Sequence, residues 1–519
     1  MLKKRKTTNN LKIMKLFSYT IFLICLCIVF CAKFINYQFG AVSFEQLLYT
    51  VTTSEGADYS IVSTAVIYIS VRIIVCLIIM LLLYKLYKCL KIKVTINYGI
   101  KNHILKLKLF KYTKIKGLVY PLILVLISCI YTFKILEIDD YILNQTTSSQ
   151  LFEEYYVDGK NVELKFPNKK RNLIYIFLES MEMTNATIKK GGNQKKSYIP
   201  NLEKLALQNI NFSNTSTLGG ALQLNNTSWT MAALVAHTSG VPLKISIEQN
   251  SYLGYSDSLP GVYNLGDILK DNGYNNYFLL GSDATFGGRR DFFENHGEYS
   301  IHDYYYAIDK EYIDKDYMVW WGYEDKKLFE HAKKELIEIS KEGEPFNYTI
   351  LTVDTHLVDG YMDSTCKKVF DVKYANSLYC SDSKIVPFIN WLKKQDFYDN
   401  TTIIIAGDHL TMQQNFYEES DYQRTIYNTI INSPIEPINE KNRLFSSFDL
   451  FPTTLAALNV EIKGDKLGLG VNLFSEEKTL LEEFGIEKFN EEISKKSFYY
   501  DNVLLGDTYY EMKENIEKE

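Results

Sequence analysis

Three long apolar runs dominate the first quarter of the chain, at residues 16–32 (LFSYTIFLICLCIVFCA), 61–84 (IVSTAVIYISVRIIVCLIIMLLLY) and 117–133 (GLVYPLILVLISCIYTF). Each approaches the roughly 20 residues that a helix needs to cross a bilayer, which predicts three membrane-spanning helices. A cleaved signal peptide would account for the first run alone, but its apolar core is long, no A-x-A-like site stands out, and two more runs follow. After about residue 171 the pattern changes. NLIYIFL (172–178), NNYFLLG (275–281), YTILTV (348–353) and TTIIIA (401–406) are short apolar runs bounded by polar residues or glycine. They predict strands buried on both faces of a sheet. Helices are expected between them at 200–208, 227–238, 264–272 (closed by Gly273), 324–340 and 375–395. Such alternation predicts an α/β sandwich with a largely parallel sheet. The expected organisation is an anchor at 1–136, a connector at 137–170, a folded domain at 171–475 and a C-terminal extension at 476–519 whose end frays.

Charge gives this division a direction. Residues 1–136 hold 19 Lys/Arg against 3 Asp/Glu, a balance of +16; the remainder holds 38 against 59, a balance of −21, together giving the net −5. Lys85 to Lys116 carries ten Lys and no acid. The positive-inside tendency makes that loop and the KKRK start cytoplasmic, so three crossings put everything after about residue 137 outside. Arg72, inside the second run, is expected to snorkel or to pair between helices. Six of the eight cysteines fall in or beside the anchor; Cys366 and Cys380 lie outside, where an oxidising space favours their pairing. Eight N-x-S/T matches are read as products of an Asn- and Thr-rich composition. No nucleic-acid partner is expected.

Three of the predicted strands run directly into residues that can do chemistry: Glu179-Ser180, Asp354-Thr355-His356 and Asp408-His409. In open α/β folds ligands bind beyond the carboxyl ends of the strands. Two carboxylates, an imidazole and a hydroxyl make a four-ligand set for a borderline divalent cation such as Mn²⁺ or Zn²⁺. The run NNTSWTMAAL (225–234) offers more hydroxyl and amide groups than one helix cap needs. One polar residue there is expected to cap the helix, while Thr227 points at the cation as a nucleophile. The bland readings are a solvated strand-end Glu179, a turn at Asp408-His409, a capping Thr227 and a satisfied His356. His103, His237, His296, His302 and His331 take the bland reading.

The combination resembles the lipoteichoic acid synthase and phosphoglycerol transferase family, within the alkaline phosphatase and sulfatase superfamily. The stretches that carry it are NLIYIFLESME, YIPNLEKLA, NNTSWTMAALVAHTSGVPL, GSDATFGGRRDFFENHG, TVDTH, YCSDSKIVPFINWLKK, IIIAGDHL, FSSFDLFPTTLAALNV and GLGVNLFS. The resemblance implies an alkaline phosphatase/sulfatase-like sandwich with a mostly parallel sheet behind a transmembrane helical anchor. It implies a multi-pass protein of the cell membrane with an extracytoplasmic catalytic domain. Its metal ligands would be Glu179, Thr227, Asp408 and His409, around Mn²⁺ or another divalent cation such as Mg²⁺ or Zn²⁺. Thr227 would be the nucleophile, with Thr230 the second candidate. His356 would contact the phosphoglycerol group, and Arg290, or Arg289, would grip the phosphate. The family's tryptophan beside that arginine is replaced by Gly287 and Gly288. The implied reaction moves glycerol phosphate from phosphatidylglycerol to an envelope glycan, glycolipid or polyglycerolphosphate through a phospho-threonine. Phosphoethanolamine transfer, a two-metal phosphodiesterase and a non-catalytic anchored binding domain are the rivals. No C/S-x-P-x-R stretch is present, so sulfate ester hydrolysis is not expected.

Overall fold

The computed structural model describes residues 2–39, 42–52, 60–90, 95–98, 105–108, 114–244, 259–413, 416–418 and 420–506. The expected fraying of the last residues lies outside this set. The chain divides into two compact units, Met1–Val42 with Asp58–Asp139, and Ser43–Ala57 with Asp140–Glu519.

Four helices open the chain: α1 (Leu2–Phe39), α2 (Phe44–Thr52), α3 (Ser60–Leu90) and α4 (Lys114–Ile135). In the first unit α1 packs against both α3 and α4. Within α1 and α3, Ile13–Gln38 and Val62–Leu86 are each long and apolar enough to cross a membrane. The third expected span differs: Val119–Ile135 reaches that standard only together with Ile138–Thr146, from which it is bent by 71°. Side chains such as Ile67, Ile74, Leu81, Leu122 and Leu126 are exposed, as lipid-facing positions would be. Arg72 pairs within its own helix, its guanidinium 3.1 Å from the Tyr68 ring centre and bonded to the Tyr68 carbonyl. In the basic connection, Thr95–Tyr98 and Leu105–Lys108 form an antiparallel pair.

The second unit is built on a six-stranded sheet: β1 (Asn172–Leu178), β2 (Asn275–Leu280), β3 (Ser300–His302), β4 (Phe346–Leu351), β5 (Thr401–Gly407) and β6 (Asn428–Ile431). Their order is β3-β2-β4-β1-β5-β6, parallel throughout except for the antiparallel edge strand β6. The period-2 geometry of a strand divides each continuous apolar run between two cores. Leu173, Tyr175 and Phe177 of β1 enter one core, while Ile174, Ile176 and Leu178 enter the other. Covering helices are α5 (Pro200–Gln208), α6 (Thr230–Ser239), α7 (Leu265–Asp271), α8 (Arg289–Asn295), α9 (Asp325–Ile339), α10 (Lys373–Leu392) and α11 (Leu450–Ala457). Residues of α6, α7, α8 and α11 pack in the first core, those of α5, α9 and α10 in the second. Each fully buried aromatic or aliphatic side chain contributes about 1.5–3 kcal/mol, so a sheet covered on both faces is a firm platform for its strand ends.

Cys366 and Cys380 form a disulfide. Among the N-x-S/T matches, Asn185, Asn211, Asn226 and Asn347 are buried, which leaves no room for a glycan there.

Candidate active site

The central strand β1 pairs with β5 from Asn172↔Thr401 to Leu178↔Gly407, so Glu179 and Asp408 leave the sheet side by side. Ser180 takes a left-handed conformation (φ 52°), which turns the chain so that its N–H donates to Asp408 Oδ1 at 2.8 Å. Its hydroxyl donates to Glu179 Oε1 at 2.7 Å. Thr352, just beyond β4, accepts a bond from the Glu179 N–H at 3.0 Å, and the Thr355 hydroxyl donates to the Glu179 carbonyl. The Glu179 backbone is thus fixed from the end of β4 and its carboxylate by Ser180.

His409 completes the cluster. Its Nδ1 lies 2.8 Å from the Leu410 carbonyl, which places the ring proton there and leaves the Nε2 lone pair free. That Nε2 lies 3.6 Å from Glu179 Oε1 and 3.4 Å from Asp408 Oδ2. Ligand atoms of Glu179, Asp408 and His409 all lie within 4.8 Å of one another, and all three residues are buried. Asp408 Oδ2 is buried without a hydrogen-bond partner. Burial, then the neighbouring Glu179, pushes the Asp408 carboxyl up to about 7. Burial also pushes Glu179 up, but His356 and His409 outweigh it and hold the group below its ordinary value. Two crowded buried carboxylates, an aimed imidazole and an orphaned oxygen fit a divalent cation, which would supply the missing partner and the missing positive charge.

The hydroxyl beside this cluster is not the one expected. Thr227 Oγ1 donates to the Leu224 carbonyl at 2.8 Å and accepts from the Leu224 N–H at 3.1 Å, closing a turn ahead of α6. Thr230, the first residue of α6, donates to Glu179 Oε2 at 3.3 Å. The expected helix started three residues too early, and the observed start puts Thr230 at its tip. The N-cap residue is Trp229, with no side-chain cap, so the first N–H groups of α6 remain open to an anion.

The two arginines differ in their partners. Arg290 is engaged by Asp303 and Glu294. Arg289 is 7% exposed; one of its nitrogens donates to the Asp283 carbonyl at 2.8 Å, while its Nε is buried without a partner. Burial lowers its pKa to about 10, against the pull of Glu179. His356 is bonded through Nδ1 to the Leu357 carbonyl and sits 4.7 Å from the Trp321 ring. Trp321 in turn stacks on Phe286 at 5.6 Å. Phe286 also lies beside Arg289, its ring centre 5.5 Å from the guanidinium.

Asp354 is spoken for. Its carboxylate is bound by Lys384, which also reaches Asp363 Oδ2 at 2.9 Å, and it accepts the Asp325 N–H at 3.1 Å. Burial, then Asp354, pushes the Asp325 carboxyl up to about 8. Lys384→Met would leave two buried carboxylates facing each other without their cation. It is expected to cost about 3–5 kcal/mol of stability in chemical denaturation; an unchanged midpoint would show the ion pair to be dispensable.

The family described as Sulfatase matches residues 171–460. Phosphoglycerol transferase I of Citrobacter koseri is 33% identical over 276 residues, covering 51% of this chain and 34% of that protein. The chain thus spans about a third of the length of the curated relatives it matches. Among solved structures, the lipoteichoic acid synthase LtaP from Listeria monocytogenes is 20% identical, with a TM-score of 0.46, over 61% of this chain and 79% of that one. The Streptococcus pyogenes phosphoglycerol transferase GacH, in complex with sn-glycerol-1-phosphate, is 15% identical, with a TM-score of 0.41, over 67% and 90%.

Proposed function

Because this chain belongs to the Sulfatase family, we propose that it is a membrane-anchored phosphotransferase that moves glycerol phosphate from phosphatidylglycerol to a hydroxyl of an envelope glycan, glycolipid or polyglycerolphosphate. The observation that carries the reading is the Thr230 hydroxyl, 3.3 Å from Glu179 in a buried cluster with Asp408 and His409. The donor is suggested by the phosphoglycerol transferase relatives.

In the first step Thr230 Oγ attacks phosphorus and the bond from phosphorus to the diacylglycerol oxygen breaks. The hydroxyl proton ends on that oxygen, diacylglycerol leaves, and glycerol phosphate stays esterified to Thr230. In the second step an acceptor hydroxyl attacks the same phosphorus, and Thr230 leaves with its proton restored. Arg289 and the open N–H groups of α6 hold the phosphoryl oxygens, while His356 faces the glycerol end. A divalent cation held by Glu179, Asp408 and His409, Mn²⁺ or a similar ion, would supply Lewis-acid chemistry that eases loss of the hydroxyl proton. Asp354, neutralised by Lys384, speaks against a second cation and so against the two-metal phosphodiesterase. An extracytoplasmic position for the second unit is supported by the acid-free lysine loop and by the disulfide.

The test is product analysis on the full chain in detergent with Mn²⁺ and fluorescent phosphatidylglycerol or phosphatidylethanolamine. Release of diacylglycerol from phosphatidylglycerol is the expected result. Release from phosphatidylethanolamine alone would move the reading to phosphoethanolamine transfer, and release from neither would reject it.

A further inference from the structure

Helix α2 lies between the first two apolar helices in sequence, yet it folds as part of the second unit. Tyr49 makes its central contact. The residue is 3% exposed, and its hydroxyl donates to the Gly287 carbonyl at 2.8 Å. Its ring lies 6.1 Å from that of Trp229. The same hydroxyl is 3.1 Å from where a Cβ on Gly288 would stand. Gly287 and Gly288 are both left-handed (φ 69° and 67°) and form the turn that leads into α8 at Arg289. Trp229 is the residue before Thr230. A third contact, Gln46 Nε2 to Met412 Sδ at 3.9 Å, reaches the loop that follows His409. One nine-residue helix therefore touches the segments that deliver Arg289, Thr230 and His409.

We propose that Tyr49 is a positioning residue for the transfer reaction, fastening the Gly287–Gly288 turn to Trp229 so that Arg289 and Thr230 address the same phosphate. The inference rests on the function proposed above. Paired glycines are the most permissive backbone a chain can place beside a reacting group. Each side of that turn must be fixed from outside, since neither glycine has a side chain to fix it. Tyr49 does so with a hydrogen bond to the Gly287 carbonyl, while its own ring is held beside Trp229. Helix α2 thereby completes the site, and a catalytic piece lacking residues 44–52 would fold around a looser one.

The experiment compares full-length variants in detergent micelles with Mn²⁺ and fluorescent phosphatidylglycerol. Tyr49→Ala is expected to lower kcat by about a hundredfold while KM stays within about threefold, because a misplacement on the order of 1 Å is that costly. Tyr49→Phe keeps the ring and loses one hydrogen bond, and should fall by about tenfold or less. Val51→Ala, on the exposed side of α2, should match wild type. Tyr49→Phe and Val51→Ala should melt close to wild type, whereas Tyr49→Ala empties a buried position and should melt lower, so its kcat is expressed per folded protein at a temperature where all three are folded. Wild-type kcat in Tyr49→Ala, or a loss that merely follows loss of folded protein, would overturn the proposal. Inactivity of wild type would count against the proposed function instead, and hydrogen exchange on the same proteins then decides. Faster exchange at residues 229–232 and 286–291 in Tyr49→Ala supports the fastening; unchanged exchange overturns it.

Discussion

Thr230→Ala is expected to abolish transfer, lowering turnover by about 10⁴-fold or more while the fold and cation binding persist. The size follows from the loss of the attacking atom itself, for which no neighbouring hydroxyl substitutes. Ser180 is committed to Glu179, and Thr227 to the Leu224 backbone. Thr230→Ser keeps an oxygen on the first turn of α6 and should retain measurable turnover. Thr227→Ala opens a turn ahead of the helix and should cost about tenfold or less, a hydrogen-bond effect rather than a nucleophile effect. The contrast between the two alanine variants, measured as diacylglycerol release from phosphatidylglycerol, separates the two hydroxyls. Equal losses in both would undo the assignment.

Asp408→Asn should have the second largest effect and should split activity from stability. Asp408 presents a buried oxygen with no hydrogen-bond partner, next to the buried carboxylate of Glu179. Replacing it with a neutral amide relieves that repulsion, so the cation-free variant should melt no lower than cation-free wild type. With Mn²⁺ the order should reverse. Wild type gains stability by preferential binding to the folded state, about 2.7 kcal/mol at a hundredfold excess over the dissociation constant, whereas the variant should gain little. Turnover in the variant should be lost, and chelation should do the same to wild type reversibly. A melting temperature that rises equally with Mn²⁺ in both proteins would remove Asp408 from the ligand set.

The sheet was readable because its physics is local. NLIYIFL and TTIIIAG are continuous apolar runs ending in acids, and a strand buried on both faces has no other way to be written. Those same endings put Glu179 and Asp408-His409 on one rim, which the parallel register of β1 and β5 then brought together. Thr230 was harder to read. The boundary between turn and helix in NNTSWTMAAL depends on the Thr227–Leu224 bonds, a pairing that leaves no periodic trace. Arg289 and Arg290 are adjacent and chemically equal, and only Asp303, thirteen positions on, decides which one remains available. Trp321 and Tyr49 reach the site through tertiary packing alone. In the third apolar run hydropathy reports composition and not the bend that follows Ile135.

Rapid quenching of the full chain during turnover of phosphatidylglycerol, followed by peptide mass spectrometry, addresses the central claim most directly. The peptide covering residues 225–243 should carry a phosphoglycerol group, and fragmentation should place it on Thr230. A group on Thr227 or Ser228, or steady turnover with no modified peptide at any quench time, would contradict the account.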